Sequence, residues 1–301
     1  MKTFIPKELD ARQRSQFLLG AIGPRPIAFV STLDKEGRPN LAPYSFFNIF
    51  SSTPPVLIFS ANSRLREGKP KDTLQNVRET GELVINMITF AMARQMTLAG
   101  LDYEHGINEF VKAGFSPLAS QQVKPFRVKE SLAQFECRLL EIKTLGEQPG
   151  AANLVIAEVI VMHFDERIID SDHKIDPYQL DLIGRLGNYY YTRVQGDCIF
   201  EIVQPRSSQA LGMDGLPESI RTSRILSGQE LAILAGQTQW PGKEEVEAYM
   251  KEEAVAGFLI ALPVKQAARS EAIHRKIRAL LKKETPAEAL KLIAACGLTE
   301  A

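Results

Sequence analysis

Residues 27–42 read IAFVSTLDKEGRPNLA and predict two antiparallel strands joined by a short loop. Residues 27–33 are rich in β-branched and aromatic side chains, which are typical of strands. Residues 34–37 have the composition of a turn, and residues 39–42 form a second extended stretch. We therefore expect a hairpin with a loop of several residues.

Further strands are expected up to about residue 191. They are predicted at 56–60, 82–88, 131–139 and 154–162. In 131–139 every second residue is apolar, which predicts a half-buried strand with Gln134, Glu136 and Arg138 on its exposed face. Residues 154–162 are almost continuously apolar, which indicates a central strand. Together with a few packed helices, these strands predict a β-barrel or a sandwich.

A helix is predicted after the polar loop 61–70. Asp72 is expected to be its N-cap, Gln75 to complete a capping box, and Gly81 to end the helix.

The pattern changes near residue 204. Ser or Pro starts and Gly stops mark short helices at 217–224, 227–235, 243–254, 270–283 and 286–295. The sequence thus predicts two parts, residues 1–203 and a helical region at 204–301.

The composition excludes several classes of protein. The 301 residues carry 36 basic and 36 acidic side chains and are 45% hydrophobic, which excludes a disordered chain and a general nucleic-acid binder. No apolar run reaches the roughly 20 residues that a membrane span needs, and the N-terminus lacks the apolar core of a signal peptide. Because Cys137, Cys198 and Cys296 lie far apart, neither a disulfide framework nor a zinc site is expected. A cytoplasmic protein with no membrane partner is predicted.

Common catalytic and nucleotide-binding motifs are absent. There is no Rossmann fingerprint, no P-loop and no hydrolase signature. Residues 170–176 hold three carboxylates and His173, which suit either a metal or an ordinary solvated loop, and we favour the loop. His163 is interpreted as a hydrogen-bonded structural imidazole, and the basic residues of 275–283 as a solvated helix face. We predict no metal site and no catalytic side chain.

One constellation of residues suits a phosphorylated planar ligand. Aromatic, hydroxyl and amide side chains follow one another at a predicted strand-to-loop corner, Pro43, Tyr44, Ser45, Phe46, Phe47 and Asn48. Ser60 ends a strand, Arg64 follows it, and Lys71, Asp72 and Thr73 open a helix. A helix start offers free N–H groups and a favourable dipole to a phosphate, and cations add charge. One of Phe46 and Phe47 should point into the core, because side chains alternate along a strand.

Two long runs resemble the flavin reductase-like family with the FMN-binding split barrel. They are GPRPIAFVST at 23–32 and GRPNLAPYSFF at 37–47. KDTLQNV at 71–77 and ELVIN at 82–86 match later signatures of that family, and GRLGNYYY at 184–191 resembles its closing motif. In that motif the family often has glycine where Asn188 stands and tryptophan where Tyr190 stands. The resemblance covers roughly residues 20–195.

The resemblance implies a fold, a cofactor and an assembly. The fold would be mainly β, a split β-barrel of Greek-key type with packed helices in residues 1–203, followed by the helical extension. FMN would be held without a covalent bond, and such proteins are usually homodimers with the flavin near the subunit interface. The matching positions would line the isoalloxazine and ribityl chain at 43–48, and would surround the phosphate at Ser60, Arg64, Lys71 and Thr73. Asp72 would shape the phosphate loop rather than touch the ligand.

The activity implied is that of an NAD(P)H-dependent flavin reductase, in which nicotinamide passes hydride to the flavin. The electrons would then go to free flavin, a partner oxygenase or oxygen. Two alternatives stay open at this point: an FMN-dependent oxygenase or reductase with its own organic substrate, and a flavoredoxin-like electron carrier. The C-terminal helices would pack on the barrel, cap the flavin or extend the dimer.

Overall fold

The computed structural model describes residues 1–62, 71–146, 151–202 and 210–298. Arg64 lies outside these ranges, so its predicted role stays a prediction. The chain divides into two compact units, Met1–Phe200 and Glu201–Ala301. This division does not test the functions that are predicted for the two parts of the sequence.

The first unit is built on an antiparallel sheet whose strand order is β2-β1-β5-β8-β9-β4-β3. These strands are β1 (Ala28–Leu33), β2 (Pro39–Tyr44), β3 (Phe47–Ser52), β4 (Pro55–Ser60), β5 (Glu82–Met87), β8 (Ala133–Leu145) and β9 (Ala152–Phe164). Two short pairs lie outside this sheet, β6 (Pro117–Leu118) with β7 (Arg127–Val128) and β10 (Ile183–Arg185) with β11 (Tyr191–Arg193). The helices of this unit are α1 (Ala11–Ala21), α2 (Asp72–Thr80), α3 (Ala93–Ala99), α4 (Glu109–Ala113) and α5 (Pro177–Leu180).

The predicted hairpin is confirmed. β1 and β2 pair antiparallel, from Ala28 opposite Tyr44 to Leu33 opposite Pro39. The turn closes because Arg38 donates its backbone N–H to the Asp34 carboxylate at 2.8 Å and Gly37 takes a φ of 81°, which glycine adopts without strain. β1 is buried almost throughout and lies between β2 and β5, so the first strand of the hairpin is an interior strand of the sheet.

The prediction of a mainly β first part with packed helices is confirmed, but the sheet is not closed into a barrel in the part of the chain that the structure describes. β2 and β3 are consecutive along the chain, yet they form opposite edges of the sheet. The chain passes from one edge to the other through residues 45 and 46, where the Phe46 carbonyl accepts a hydrogen bond from Ser60 N–H at 2.8 Å.

Strand β8 differs from its prediction. Gln134 and Glu136 were expected on a solvated face, but both are buried. The segment from β6 to the end of β7 covers this face, and the two side chains bond to it. The Gln134 amide donates to the Val128 carbonyl, and Glu136 accepts from backbone N–H groups of residues 121–123. Alternation therefore identified the strand but not the burial of its polar face.

The predicted capping box of α2 is wrong. The N-cap is Lys71, with no side-chain capping bond, and Asp72 is the first helical residue. The Gln75 amide donates to Glu79 instead of reaching back to the N-cap. The predicted stop is confirmed, because Gly81 takes the left-handed conformation with a φ of 72°.

The second unit is helical, as predicted. Its helices are α6 (Glu218–Arg221), α7 (Gly228–Ala235), α8 (Lys243–Met250), α9 (Glu253–Ile260), α10 (Gln266–Leu281) and α11 (Pro286–Ala295). They enclose their own core, with Leu234, Ile277 and Ile293 fully buried. One prediction merged two elements, because 243–254 covers all of α8 and the start of α9.

No helix in the described ranges combines the length and the apolar character that a membrane crossing requires.

Candidate functional site

A small pocket of about 40 Å³ lies where the end of β2 meets the start of α2. Five of the predicted ligand-binding residues line it, Pro43, Tyr44, Lys71, Asp72 and Thr73. The end of α3 and the segment after it form the opposite wall, with Gly100 and Tyr103. Gly100 permits this approach, because a Cβ there would lie 3.2 Å from Pro43 Cγ.

An aromatic ring and a cation meet on the floor of this pocket. Tyr44 is buried, and its ring centroid lies 5.0 Å from that of Phe59 in the core. Lys71 Nζ lies 5.4 Å from the Tyr44 ring centroid, within the range of a cation–π contact. The ammonium group therefore stands at the pocket beside an apolar surface.

The start of α2 suits an anion. No side chain in the described part of the chain caps this nine-residue helix, which leaves its first N–H groups and the positive end of its dipole for a ligand. Asp72 Oδ1 lies 3.3 Å from His105 Nδ1, within reach of a hydrogen bond from the imidazole. The far side of that imidazole, Nε2, lies 3.2 Å from a guanidinium nitrogen of Arg38.

The Thr73 hydroxyl is part of a buried hydrogen-bond network and is not exposed to solvent. It is only 1% exposed, and its Oγ1 donates to Asn40 Oδ1 at 2.6 Å. The amide of Asn76 donates to Thr32 Oγ1 at 3.0 Å, and that hydroxyl donates to Asn40 Oδ1 at 3.3 Å. These bonds fix the first turn of α2 against β1 and β2.

Glu109 lines the same pocket and was not predicted from the sequence. Its carboxylate accepts from the Asn40 amide at 3.3 Å and from Leu41 N–H at 3.0 Å, and the residue is 6% exposed. Burial raises the pKa of this carboxyl above its usual range, and the charge of Asp72 adds to the rise, against the two hydrogen bonds. A carboxyl with a raised pKa beside a pocket is a frequent feature of functional sites.

The remaining predicted residues lie outside this pocket's lining. Phe46 is 46% exposed and faces a second cavity, formed with α1. Phe47 packs against the core, so the prediction that one of these two rings points inward is confirmed. Asn48 is exposed, and its side chain accepts from Ile49 N–H. Ser60 ends β4 and donates to Asn62 Oδ1 at 2.6 Å.

Ser45 lies at the bend between β2 and β3, half-buried.

Asn40, Tyr103 and Glu109 could not be found by reading along the chain. Glu109 follows Asn108, which caps the short helix α4, and this local signal predicts a helix start and nothing more. The pocket joins these residues to α2 only through folding.

The weaker candidates have structural roles. His163 Nε2 lies 2.7 Å from Glu136 Oε1, which confirms a hydrogen-bonded structural imidazole. Asp170 accepts from the N–H groups of Asp172 and Lys174, as in an ordinary loop. Within the described ranges, no group of three or more histidine, cysteine or acidic side chains could hold a metal ion.

The sequence matches the profile of the Flavin reductase like domain over residues 21–179. This range contains every residue of the pocket.

Solved structures similar to the chain match about two thirds of its length. Nitrilotriacetate monooxygenase component B from Bacillus cereus is 31% identical, with a TM-score of 0.63, and the match covers 67% of this chain and 98% of that one. The 2-nitrobenzoate 2-nitroreductase NbaA from Pseudomonas fluorescens is 29% identical, with a TM-score of 0.61, and the match covers 69% and 99%. A protein with a split barrel domain from Shewanella frigidimarina is 23% identical, with a TM-score of 0.57 and coverage of 66% and 95%, and bears on the fold alone.

Proposed function

We propose that this chain, which belongs to the flavin reductase-like family, is an FMN-binding oxidoreductase that accepts hydride from NADH or NADPH. The observation that carries the proposal is the pocket at the start of α2. There an uncapped helix N-terminus, the Lys71 ammonium and the buried Tyr44 ring lie together. A phosphate and a planar apolar group need these two kinds of surface side by side.

The residues of the pocket fit FMN in a simple division of roles. The first N–H groups of α2 and the charge of Lys71 would hold the phosphate, and a hydrogen bond from the His105 imidazole would hold the Asp72 carboxylate in place. Pro43, Tyr44 and Ser45 would contact the ribityl chain and the ring, with Phe46, Phe47 and Asn48 shaping the strand edge and Ser60 and Arg64 completing the phosphate site. FMN, when bound, supplies the hydride and electron chemistry, so the protein must bind it, orient it and leave one face open. No acid or base side chain is then required.

The electron acceptor is proposed to be an oxygenase partner or free flavin. The similarity to a protein named as one component of a monooxygenase supports the first of these. The split-barrel description of the fold is likewise proposed, from the antiparallel sheet whose successive strands β2 and β3 form opposite edges.

The test is the visible spectrum of the purified protein, followed by anaerobic addition of NADH and then of NADPH. Flavin bands that bleach within seconds are expected, and the faster nucleotide is the donor. Bands that persist would contradict the reductase and favour an electron carrier. A colourless protein that takes up no added FMN would contradict the cofactor as well.

A second candidate function is reduction of an organic substrate on the bound flavin. The similarity to a protein named as a nitroreductase of 2-nitrobenzoate supports it. Oxidation of the reduced flavin by an added organic acceptor, without oxygen and without a second protein, would distinguish this activity from that of a flavin reductase.

A homodimer is proposed through the surface formed by α1 and β3. None of the residues of α1 is buried, and β3 is an edge strand on which Ile49 and Phe50 are 61% and 64% exposed. Leu18 of α1 and Phe46, the residue before β3, line one cavity, so exposed apolar side chains of α1 lie beside the start of β3. Such a surface is unusual on a monomer. Sedimentation should give twice the chain mass of 33.5 kDa, and a single-chain mass at micromolar concentration would contradict the dimer.

Lys71→Ala is expected to weaken FMN binding by about 1–2 kcal/mol, roughly 5-fold to 30-fold, because a charge-assisted bond to the phosphate is lost. Quenching of flavin fluorescence on titration measures the change. Lys129→Ala is the control, because Lys129 is exposed elsewhere on the same unit. Equal affinities in the two variants would contradict the phosphate site. Thr73→Ala is a poorer test, since it also breaks the buried bond to Asn40.

A further inference from the structure

Another pocket of the first unit, distinct from the cavity beside α1, has an aromatic lining. It has a volume of about 320 Å³, which lies at the lower end of the usual range for small-ligand sites. We call it the aromatic pocket, and the side chains that matter in it are Phe90, Arg94, Thr97, Tyr189, Tyr191 and Arg193. None of them lines the candidate flavin site.

Two of its walls are held in place by neighbouring groups. Tyr191 accepts a hydrogen bond from the Arg185 guanidinium, whose Cζ lies 4.5 Å from the Tyr191 ring centroid. Arg193 Cζ lies 4.1 Å from the Phe90 ring centroid, and its Nε and NH2 donate to the two carboxylate oxygens of Asp181 at 2.7 and 2.9 Å. These rings are therefore preorganised as flat apolar surfaces.

The charges of the two arginines that line the pocket are treated differently. Asp181 forms an ion pair with Arg193, and the bond between them raises the pKa of Arg193 above its usual value. Arg94 lies on the exposed side of α3, and its guanidinium has no ion-pair or hydrogen-bond partner among the described residues. Among the residues that the structure describes, the lining of the pocket contains no acidic side chain. The Arg94 guanidinium, which has no ion-pair partner among the described residues, thus lies beside aromatic surfaces.

We propose that the aromatic pocket binds a small aromatic carboxylate. The carboxylate would accept two parallel bonds from Arg94, the geometry that a guanidinium prefers, and the ring would stack on Phe90 and Tyr191 with Tyr189 as a cover. An aliphatic acid or a neutral arene would satisfy only half of this arrangement. Binding is independent of the flavin; use of the pocket as the organic substrate site rests on the second candidate function.

Calorimetric titration of the full chain with benzoate tests this site, with and without added FMN. We expect saturable one-site binding, weakened about tenfold or more by Arg94→Ala and about threefold or more by Tyr189→Ala. Both residues are exposed, Tyr189 to 93%, so the variants should fold, and circular dichroism checks this. Arg221→Ala, at an exposed arginine of the second unit, is the matched control and should bind as the parent does. Cyclohexanecarboxylate and benzyl alcohol should each bind more weakly than benzoate.

Three results would overturn the site. They are the absence of benzoate binding, binding that Arg94→Ala leaves unchanged, and a change in sedimentation mass in both variants without benzoate binding. The last would make this face a contact between copies of the chain. Because the heat of binding does not depend on flavin reduction, a protein that fails to oxidise NADH can still pass this test.

Discussion

Glu136→Ala is expected to lower the free energy of unfolding by about 3–5 kcal/mol, because a buried, fully bonded carboxylate is removed and its partners stay behind. Glu136 is 0% exposed. Its oxygens accept from the N–H groups of Gln121, Gln122 and Val123 at 2.7, 2.6 and 3.2 Å, and Oε1 lies 2.7 Å from His163 Nε2. Urea unfolding measures the loss.

Two further variants make this prediction specific. Glu141→Ala changes an exposed glutamate on the same strand and should cost less than about 0.5 kcal/mol. Glu136→Gln keeps the shape and one acceptor, so its cost should lie between those of the two alanine variants. If Glu136→Ala costs no more than Glu141→Ala, the carboxylate is not the anchor of residues 121–123.

The same carboxylate has a predictable pH dependence. Burial alone would raise the pKa of Glu136, but the hydrogen bonds from Gln121, Gln122, His163 and Val123 together outweigh burial and hold the pKa below its usual range. A folded-state pKa below the unfolded value means that the contribution to stability is complete above about pH 5 and is lost as the pH falls through the lowered value. The stability difference between the parent and Glu136→Gln should therefore shrink below about pH 4.

Glu136 also illustrates where reading the sequence succeeds and where it stops. Alternation predicted β8 correctly, because period-two apolar residues are a local property of the chain. The same alternation placed Glu136 in solvent. It carries no information on the segment that covers this side chain and is bonded to it in the folded protein. Burial of a polar residue depends on partners that are distant in sequence, and no local pattern contains them.

The candidate site divides in the same way. Pro43, Tyr44, Lys71, Asp72 and Thr73 were predicted as neighbours of a ligand and line one pocket. Their suitability for a phosphorylated planar ligand can be recognised from two short stretches of sequence. The Asn40–Glu109 contact joins a strand to a helix that begins 68 residues after Leu41, and only the fold brings them together.

β3 and α1 were missed for a different reason. Their residues are mostly exposed, so no apolar periodicity marks a buried face. If this surface is covered by a second copy, its apolar residues are core residues of the dimer. A pattern that depends on a partner chain cannot be interpreted against the core of one chain alone.

Gly187→Ala is expected to destabilise the first unit by about 3 kcal/mol, near the upper end of the usual cost of overpacking. A Cβ at this position would lie 2.7 Å from Gly20 Cα and 3.1 Å from Gly20 N. These are backbone atoms, which cannot turn aside as a side chain can. The two segments are also bonded to each other, since Arg25 N–H donates to the Arg185 carbonyl at 2.9 Å and Arg185 N–H donates back at 2.8 Å. Thermal or urea unfolding gives the change.

Gly20→Ala is the matched control, because it alters the other member of the same contact. A Cβ on Gly20 would meet nothing within 4 Å, and Gly20 lies inside α1, where alanine is the better helix former. This variant should be neutral or stabilise the protein by up to about 1 kcal/mol. Equal destabilisation by both substitutions would contradict the packing argument.

The pair of variants also decides what the closing motif at 184–191 contributes. Residues 20–25 and 184–187 approach each other at backbone distance, so Gly187 has a sufficient explanation in packing. If Gly187→Ala lowers stability but the folded fraction binds FMN as the parent does, the glycine serves the crossing of the two segments. If FMN affinity falls while stability is unchanged, the glycine is needed for flavin binding. The contact between the two segments then acts by positioning the closing motif at the flavin.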